Sequence, residues 1–133
     1  LLIDWKKAIL YVVIPQQFAL FSVLIFNYIQ HVHADEESDY NHSRNFVSPT
    51  TNFLLFNNGF HTIHHYRASI HWSETPEAHK KIDHLIAPHL KERGFWPYIF
   101  KAYIIAPFNK TFRTKSMRLD RIAKQKKEET ANV

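Results

Sequence analysis

The sequence predicts an all-α, integral membrane protein in which one transmembrane helix is followed by cytosolic helices that carry histidine motifs. Three observations lead to this fold class. A run of 23 residues, 8–30, contains no charged side chain. The 133-residue chain has only two glycines, which leaves long stretches compatible with helix. Seven of its ten histidines lie between His31 and His71, several of them at helical spacing.

The apolar run at residues 8–30 is long enough to cross a membrane as a helix. It would extend about 35 Å, and the hydrocarbon core of a bilayer is about 30 Å thick. Pro15 interrupts the run, but packed transmembrane helices tolerate proline. No small-residue cleavage site follows, which excludes a signal peptide. We therefore expect a transmembrane helix here, and a buried helix of a soluble domain is the alternative.

The distribution of basic residues predicts the orientation of this helix. Only Lys6 and Lys7 precede the run, whereas fifteen Lys and Arg residues follow it. Cytoplasmic segments of membrane proteins carry the excess of positive charge. We therefore expect residues 31–94, which hold the histidine motifs, on the cytoplasmic side.

Two segments, residues 31–94 and residues 95–108, directly follow the predicted transmembrane helix. Within residues 31–94, a polar loop leads to a helix from Thr51 to Arg67, and a second helix begins near Ser73 or Thr75 and ends at Gly94. Residues 95–108 are apolar and aromatic but too short to cross a bilayer, so they are expected at its interface.

The basic tail, residues 109–133, carries the whole net charge of +5. Residues 1–109 hold nine basic and nine acidic side chains, whereas residues 110–133 hold eight and three. Beside a membrane helix, such a tail is expected to contact anionic lipid headgroups. A solvated tail is the alternative. No nucleic-acid partner is expected, because no segment resembles a nucleic-acid-reading module.

The string His61-Thr62-Ile63-His64-His65 is the strongest indication of a metal site. Positions i, i+3 and i+4 share one face of a helix, so the three imidazoles converge. Neutral imidazole is a good ligand for iron, zinc or copper. The chain has no cysteine, so any metal must be held by nitrogen and oxygen ligands.

A second polar pair lies where the apolar run ends. Asn27 and His31 are four residues apart and so share a helix face at the predicted membrane boundary. Polar groups in that position are candidates for function. Asp35, four residues further on, is a candidate for orienting the His31 ring, and a solvated loop acid is the alternative.

Together these strings resemble the later histidine motifs of the membrane fatty acid desaturases. The resemblance rests on Asn27-Tyr28-Ile29-Gln30-His31 and on Asn58-Gly59-Phe60-His61-Thr62-Ile63-His64-His65, with His71-Trp72-Ser73 following. It implies a centre of two iron ions that uses O2 to remove two hydrogens from an acyl chain. The implied ligands are His31, His61, His64 and His65, with Asn27 approaching an iron through a water.

The earlier histidine motifs of that family are absent from residues 1–133, which begin at Leu1 without an initiator methionine. We therefore expect the chain to be the C-terminal part of one desaturase domain and to be inactive alone. His71 and Trp72 are candidates for supporting the ligands from outside. For His33 and His42, in the polar loop, a role in contacting substrate or in supporting the ligands and no role at all are equal alternatives. His79, His84 and His89 are expected to be surface or interfacial residues.

The resemblance also implies partners: a lipid acyl substrate, O2, and an electron donor such as a ferredoxin or a cytochrome b5-type protein. No flavin or nicotinamide motif is present, so electrons must come from outside. Three alternatives stay open. They are a hydroxylase or ketolase of alkanes, sterols or carotenoids, a zinc hydrolase, and a truncated membrane remnant that binds metal without catalysis.

Overall fold

The structure, a computed structural model, describes residues 4–131. Residues 1–3 and 132–133, the ends of the predicted domain and of its basic tail, lie outside the described part. The described residues are mostly helical, at 66%, with almost no sheet among them. The predicted predominance of helix is confirmed.

The first helix, α1, covers Trp5–His31 without a break and so contains the whole predicted span. Its 27 residues extend about 40 Å. One wide turn, Ile9–Val13, with π-type hydrogen bonds, lies just before Pro15. Such a turn is one way for a helix to accommodate a residue that cannot donate a backbone hydrogen bond.

The apolar side chains of α1 are exposed over most of its length. Its most apolar stretch contains no buried residue, and Phe18, Phe21 and Val23 are each more than 60% exposed. A soluble core helix would bury these side chains. Length and composition make α1 a candidate membrane span.

The remaining elements are short and follow closely on one another. The strands are β1 (Asn45–Phe46) and β2 (Lys91–Glu92). The helices are α2 (Pro49–Leu54), α3 (His61–Tyr66), α4 (Thr75–Ile82), α5 (Phe95–Ile99) and α6 (Met117–Ala131). Single 3-10 turns lie at Trp72–Glu74, Asp83–Leu85, Pro88–Leu90 and Lys110–Phe112, and a π-type turn, Phe100–Ile105, extends α5.

The predicted helix from Thr51 to Arg67 is in fact two helices, α2 and α3. Between them Phe56 and Asn57 adopt left-handed backbone angles, with φ of 48° and 62°. Asparagine tolerates that conformation, and Gly59 then brings the chain close to β1. A Cβ atom on Gly59 would overlap the carbonyl oxygen of Phe46, whose amide donates to the Gly59 carbonyl.

The helix predicted to reach Gly94 ends earlier, at Ile82. The chain continues through two 3-10 turns into β2. Pro88 explains part of the difference, because a residue before proline avoids the helical region. Ala87 accordingly has φ −57° and ψ 134°.

Two small apolar clusters and one parallel strand pair hold the described part together. The strand pair aligns Asn45 with Lys91 and Phe46 with Glu92. One cluster contains Ile63, Ile82 and Leu90 and so joins α3, α4 and the chain before β2. The other consists of Ile29, Phe46 and Tyr98, which joins the end of α1 to β1 and α5.

The histidines after α3 do not all lie at the surface. His84 and His89 are exposed, but His79 is only 4% exposed and lies against Phe60, with ring centroids 4.7 Å apart. The expectation of a surface or interfacial position is therefore wrong for His79. The reason is that α4 turns this residue, together with Ile82, toward the apolar cluster.

Burial of His79 predicts a loss of stability at acidic pH. Burial lowers the pKa of His79 below 6.5, against the opposing effect of Asp83. Below pH 6.5 the unfolded chain binds this proton more readily, so the free energy of unfolding falls as the pH decreases. We expect His79→Leu to make the fall in melting temperature between about pH 7 and pH 5 shallower.

The matched control for this test is His84→Leu, which changes an exposed histidine close by in sequence. That variant should keep the pH dependence of the unmodified chain. Equal pH dependence in the two variants would contradict the role given to His79.

Candidate metal centre

Three histidine side chains converge where the end of α1 meets α3. The Nε2 atom of His61 lies 3.1 Å from Nε2 of His31 and 3.0 Å from Nε2 of His65. One nitrogen from each ring lies within 4.8 Å of the others. The structure thus brings together residues that are 30 positions apart in sequence, and we call them the histidine cluster.

Local structure explains why these rings meet. His31 is the last residue of α1 and therefore projects from the end of the apolar helix. His61 and His65 are four residues apart on α3 and share one face of it. Their ring centroids are 4.6 Å apart, and each lies 5.0 Å from that of His31.

Asn45 anchors the first turn of α3. Its Oδ1 accepts a hydrogen bond from the Thr62 backbone N–H at 3.0 Å, and its Nδ2 donates to Thr62 Oγ1 at 2.8 Å. The Phe60 side chain at the helix start makes no capping bond, so Asn45 satisfies one of the free N–H groups of α3 from a distant part of the chain. The position of His61 therefore depends on β1.

Arg44 fixes the position of the end of α1, the helix that carries His31. Its side chain is buried, donates to the carbonyl oxygens of Ile29 at 2.7 Å and Val32 at 3.2 Å, and lies 4.2 Å from the centre of the Tyr98 ring. The last carbonyls of a helix lack partners within it, and a cation is favourable there. Gln30 adds a bond from its Nε2 to the Asn58 carbonyl, which links α1 to the approach to α3.

The hydrogen-bond partner of the His31 ring indicates which of the two ring nitrogens carries the proton. Its Nδ1 lies 3.1 Å from the backbone carbonyl oxygen of His42, which can only accept. The proton is therefore on Nδ1, and the lone pair of Nε2 points into the histidine cluster. A backbone carbonyl in this place is a common partner of metal-binding histidines.

The surroundings of the cluster favour the neutral form of two of its imidazoles, those of His61 and His65. Burial, followed by the neighbouring histidines, lowers the pKa of His61 to about 3. Burial and the charges of His31 and His64 also lower the pKa of His65. Neutral imidazole is the form that binds a metal, so these residues are ready ligands near neutral pH.

The donor set fits a bound cation. Nε2 of His61 lies 3.1 Å from that of His31 and 3.0 Å from that of His65, close enough for one cation to bond to all three residues at the roughly 2.1 Å of metal–imidazole bonds. If His61 carried a proton on Nε2, that proton could form a hydrogen bond to only one of the two neighbouring nitrogens, on His31 or on His65. A cation between the three nitrogens would bind the lone pair of each. Three imidazoles suit iron, zinc or copper.

The other predicted ligands lie beside this group rather than in it. His64 is exposed, and its ring centroid lies 5.7 Å from that of His61 and 5.8 Å from that of His65. Asn27 lies one turn before His31 on α1 and is also exposed. These two remain predicted ligands that the histidine cluster does not include.

The predicted supporting residues lie elsewhere. The Asp35 carboxylate accepts from Arg121 Nε, so the carbonyl of His42, and not Asp35, is the partner of the His31 ring. His71 and Trp72 form a separate exposed group. His71 Nδ1 is 2.8 Å from Ser73 Oγ, and the Trp72 ring packs on Phe56.

Sequence reasoning missed the residues that hold the cluster in place. Ser43, Arg44 and Asn45 are all buried, with at most 1% exposed, although they belong to what reads as a polar loop. Polar side chains in a loop normally face water, so the sequence carries no signal of their burial. For His42 the sequence left a supporting role open, and the structure places its carbonyl on His31 and its ring 5.2 Å from that of His65.

The contact between Asn45 and Thr62 makes a testable prediction about metal binding. Asn45→Ala removes the acceptor for the Thr62 N–H and should cost about 1 kcal/mol of stability. It should also weaken Co²⁺ binding about tenfold, because His61 loses its fixed position. Visible absorption during a Co²⁺ titration measures this.

The control for Asn45→Ala is Asn109→Ala. Asn109 makes the same kind of bond, from Oδ1 to the Thr111 N–H at 3.0 Å, in an exposed turn. Its removal should leave Co²⁺ affinity unchanged. If both variants bind Co²⁺ like the unmodified chain, Asn45 does not position His61.

Comparison with known proteins identifies the family of this chain. A family model described as fatty acid desaturase matches residues 1–122. No curated protein and no solved structure matches the chain at a significant level. The matched residues include α1, the histidine cluster and the beginning of α6. This chain therefore belongs to the fatty acid desaturase family.

Proposed function

We propose that this chain supplies part of a di-iron centre that introduces a double bond into a lipid acyl chain with O2. The observation that carries the proposal is the convergence of His31, His61 and His65 at the end of an apolar helix in a member of this family. When bound, the iron pair supplies the oxidising power that no side chain has.

The residues of this chain would divide between the two ions. The histidine cluster has the geometry for one ion. His64 and Asn27, which lie beside it, are proposed to face the second, Asn27 through a water. The buried position of His61 keeps its imidazole neutral and free of competing protons.

The remaining ligands are proposed to come from outside residues 1–133. A centre of two ions needs more donors than the five proposed here, and the earlier histidine motifs of the family do not occur in this sequence. We place them in a preceding part of the same polypeptide. On this view the chain is the C-terminal part of one desaturase domain and is inactive alone.

The exposed apolar surface supports a membrane setting for the centre. We propose that α1 crosses the bilayer over residues 8–30 and that residues 31–94 lie on the cytoplasmic side. Residues 95–108 would lie at the interface, where Trp96 is 76% and Phe108 is 92% exposed. The acyl substrate would then reach the histidine cluster along the apolar surface of α1.

Electrons and headgroup contacts need further partners. We propose a ferredoxin or a cytochrome b5-type protein as the electron donor, because the sequence has no flavin or nicotinamide motif. Anionic lipid headgroups are proposed to contact the exposed basic residues of the tail other than Arg118 and Arg121, which pair with acidic side chains. The proposed contact residues are Lys110, Arg113, Lys115, Lys124, Lys126 and Lys127.

Metal content and the product together separate this proposal from its alternatives. A hydroxylase or ketolase would share the iron centre and differ in product. A zinc hydrolase of the H-E-x-x-H type needs a glutamate after the first histidine, where this chain has Thr62. A remnant without catalytic function would not hold iron in a defined stoichiometry.

Iron binding is the first test of the proposed ligands. In the polypeptide that carries the further histidine motifs, His61→Ala and His65→Ala should each weaken iron binding more than about 100-fold. This loss is larger than the one expected from removing a residue that only forms a hydrogen bond to a metal ligand. The controls are His84→Ala and His89→Ala, which change exposed histidines. Iron content by mass spectrometry measures the effect, and zinc in place of iron would overturn the proposal.

Product formation tests the residues beside the cluster. In the same polypeptide, His64→Ala should abolish desaturation, because it removes a ligand of the second ion. Asn27→Ala should reduce it partially, since a water can take over part of a water-mediated contact. Lipid profiling of an expressing host measures both, and His89→Ala is the control.

Three outcomes would contradict this assignment. Desaturation that survives in His64→Ala would remove His64 from the ligand set. A hydroxylated or keto product in place of a double bond would favour the alternative oxidation. Turnover by residues 1–133 alone would show that no further ligands are needed.

A further inference from the structure

The basic tail does not stand apart from the rest of the chain. Arg121, in the second turn of α6, reaches back to the acidic loop, by which we mean residues 32–44 between α1 and β1. Its Nε donates to both oxygens of the Asp35 carboxylate, at 2.9 and 3.0 Å. Its Nη1 lies 2.7 Å from a carboxylate oxygen of Glu37. Its Nη2 also lies 3.7 Å from a carboxylate oxygen of Glu36. One guanidinium thus contacts three acids of the loop, and Asp35 lies 86 residues before it in the sequence.

This ion pair is more buried than a typical surface pair. The side chains of Asp35 and Arg121 are only 11% and 21% exposed. The neighbouring pair between Arg118 and Glu36 joins the same helix to the same loop at 3.0 Å, but its side chains are 60% and 53% exposed. Screening by water makes such an exposed pair weak, whereas a shielded pair that loses one partner leaves an uncompensated charge.

Asp35 organises the acidic loop around itself. Its carboxylate accepts from the Glu37 N–H at 3.2 Å, and its carbonyl accepts from the Ser38 N–H at 3.0 Å. Its own N–H donates to the carbonyl of Asn41 at 3.0 Å. Asn41 directly precedes His42, whose carbonyl holds Nδ1 of His31. A chain of short contacts therefore runs from Arg121 to the ring of His31.

A second contact fixes the start of α6 on the same loop. The Met117 N–H donates to the carbonyl of His33 at 3.1 Å. The Met117 side chain packs against the apolar cluster that contains Ala34 and Ile63, and Ile63 lies within α3. The helix is thus held at the loop and close to the histidine cluster, which places Arg121 on Asp35 with little freedom.

We propose that Arg121 is a positioning residue for the metal centre. By holding Asp35 and Glu37, it keeps the acidic loop in the conformation in which the His42 carbonyl accepts from His31 Nδ1. His31 then presents the Nε2 lone pair to the metal. This inference rests on the proposed function, in that it takes the histidine cluster to be a metal site.

The test uses Co²⁺ binding to the whole chain in detergent micelles, followed by visible absorption. Arg121→Gln removes the charge but keeps a good helix former. It should raise the dissociation constant of Co²⁺ about tenfold and shift the absorption bands of the saturated protein, because His31 changes orientation. A role in stability alone would lower the melting temperature without moving those bands.

Two further variants keep the test decisive. Arg118→Gln removes the exposed arginine of the same helix and should change the dissociation constant less than about twofold. Asp35→Asn should reproduce the effect of Arg121→Gln. The double variant should then be no worse than either single one, because both remove the same contact.

The outcomes separate this inference from the proposed function. If the unmodified chain does not bind Co²⁺, or His61→Ala binds it equally well, the proposed metal site fails and this inference fails with it. If His61→Ala loses Co²⁺ while Arg121→Gln keeps the unmodified affinity and spectrum, only the positioning role is overturned. An equal loss of Co²⁺ affinity in Arg118→Gln and Arg121→Gln would also overturn the positioning role of Arg121.

Discussion

The contact between the end of α1 and the start of α3 is the interaction on which the rest of the structure depends. It is made by buried polar side chains: Arg44 binds the last carbonyls of α1, and Asn45 binds the first turn of α3. Both belong to the same short stretch of chain, so one backbone segment determines the distance between the two helix ends. The histidine cluster exists only because that distance is short.

A short helix such as α3 would not be stable alone. Six residues form too few hydrogen bonds to offset the entropy of ordering them, so α3 depends on its tertiary partners. Ile63 provides an apolar contact with α4, and Thr62 provides polar contacts with β1. The loop before α3 passes close to Phe46, so that α3 can make these contacts. At Gly59 the approach is too close for a side chain. The local geometry of the site is thus built from contacts between distant residues.

The sequence predicted the relative positions of His61 and His65 better than it predicted the elements around them. Spacing alone brought His61 and His65 onto one face of a helix, and the structure agrees. It also predicted a single helix through residues 51–67 and a surface position for His79, and both were wrong. Asn57, Asn58 and Gly59 are poor helix formers and indicated a break, but the regular spacing of apolar and histidine residues on either side favoured one helix. No local pattern distinguishes a buried histidine from an exposed one.

The sequence by itself determined the apolar helix, the predominance of helix, the family and the candidate imidazole ligands, because each depends on residue type and on spacing over a few residues. Only the tertiary structure decided which of those imidazoles meet and what holds them. The partner of Asp35 is Arg121, 86 positions away, and the partner of the His31 ring is a backbone carbonyl. Such contacts depend on how the chain folds back on itself, and that information is not contained in any short stretch of sequence.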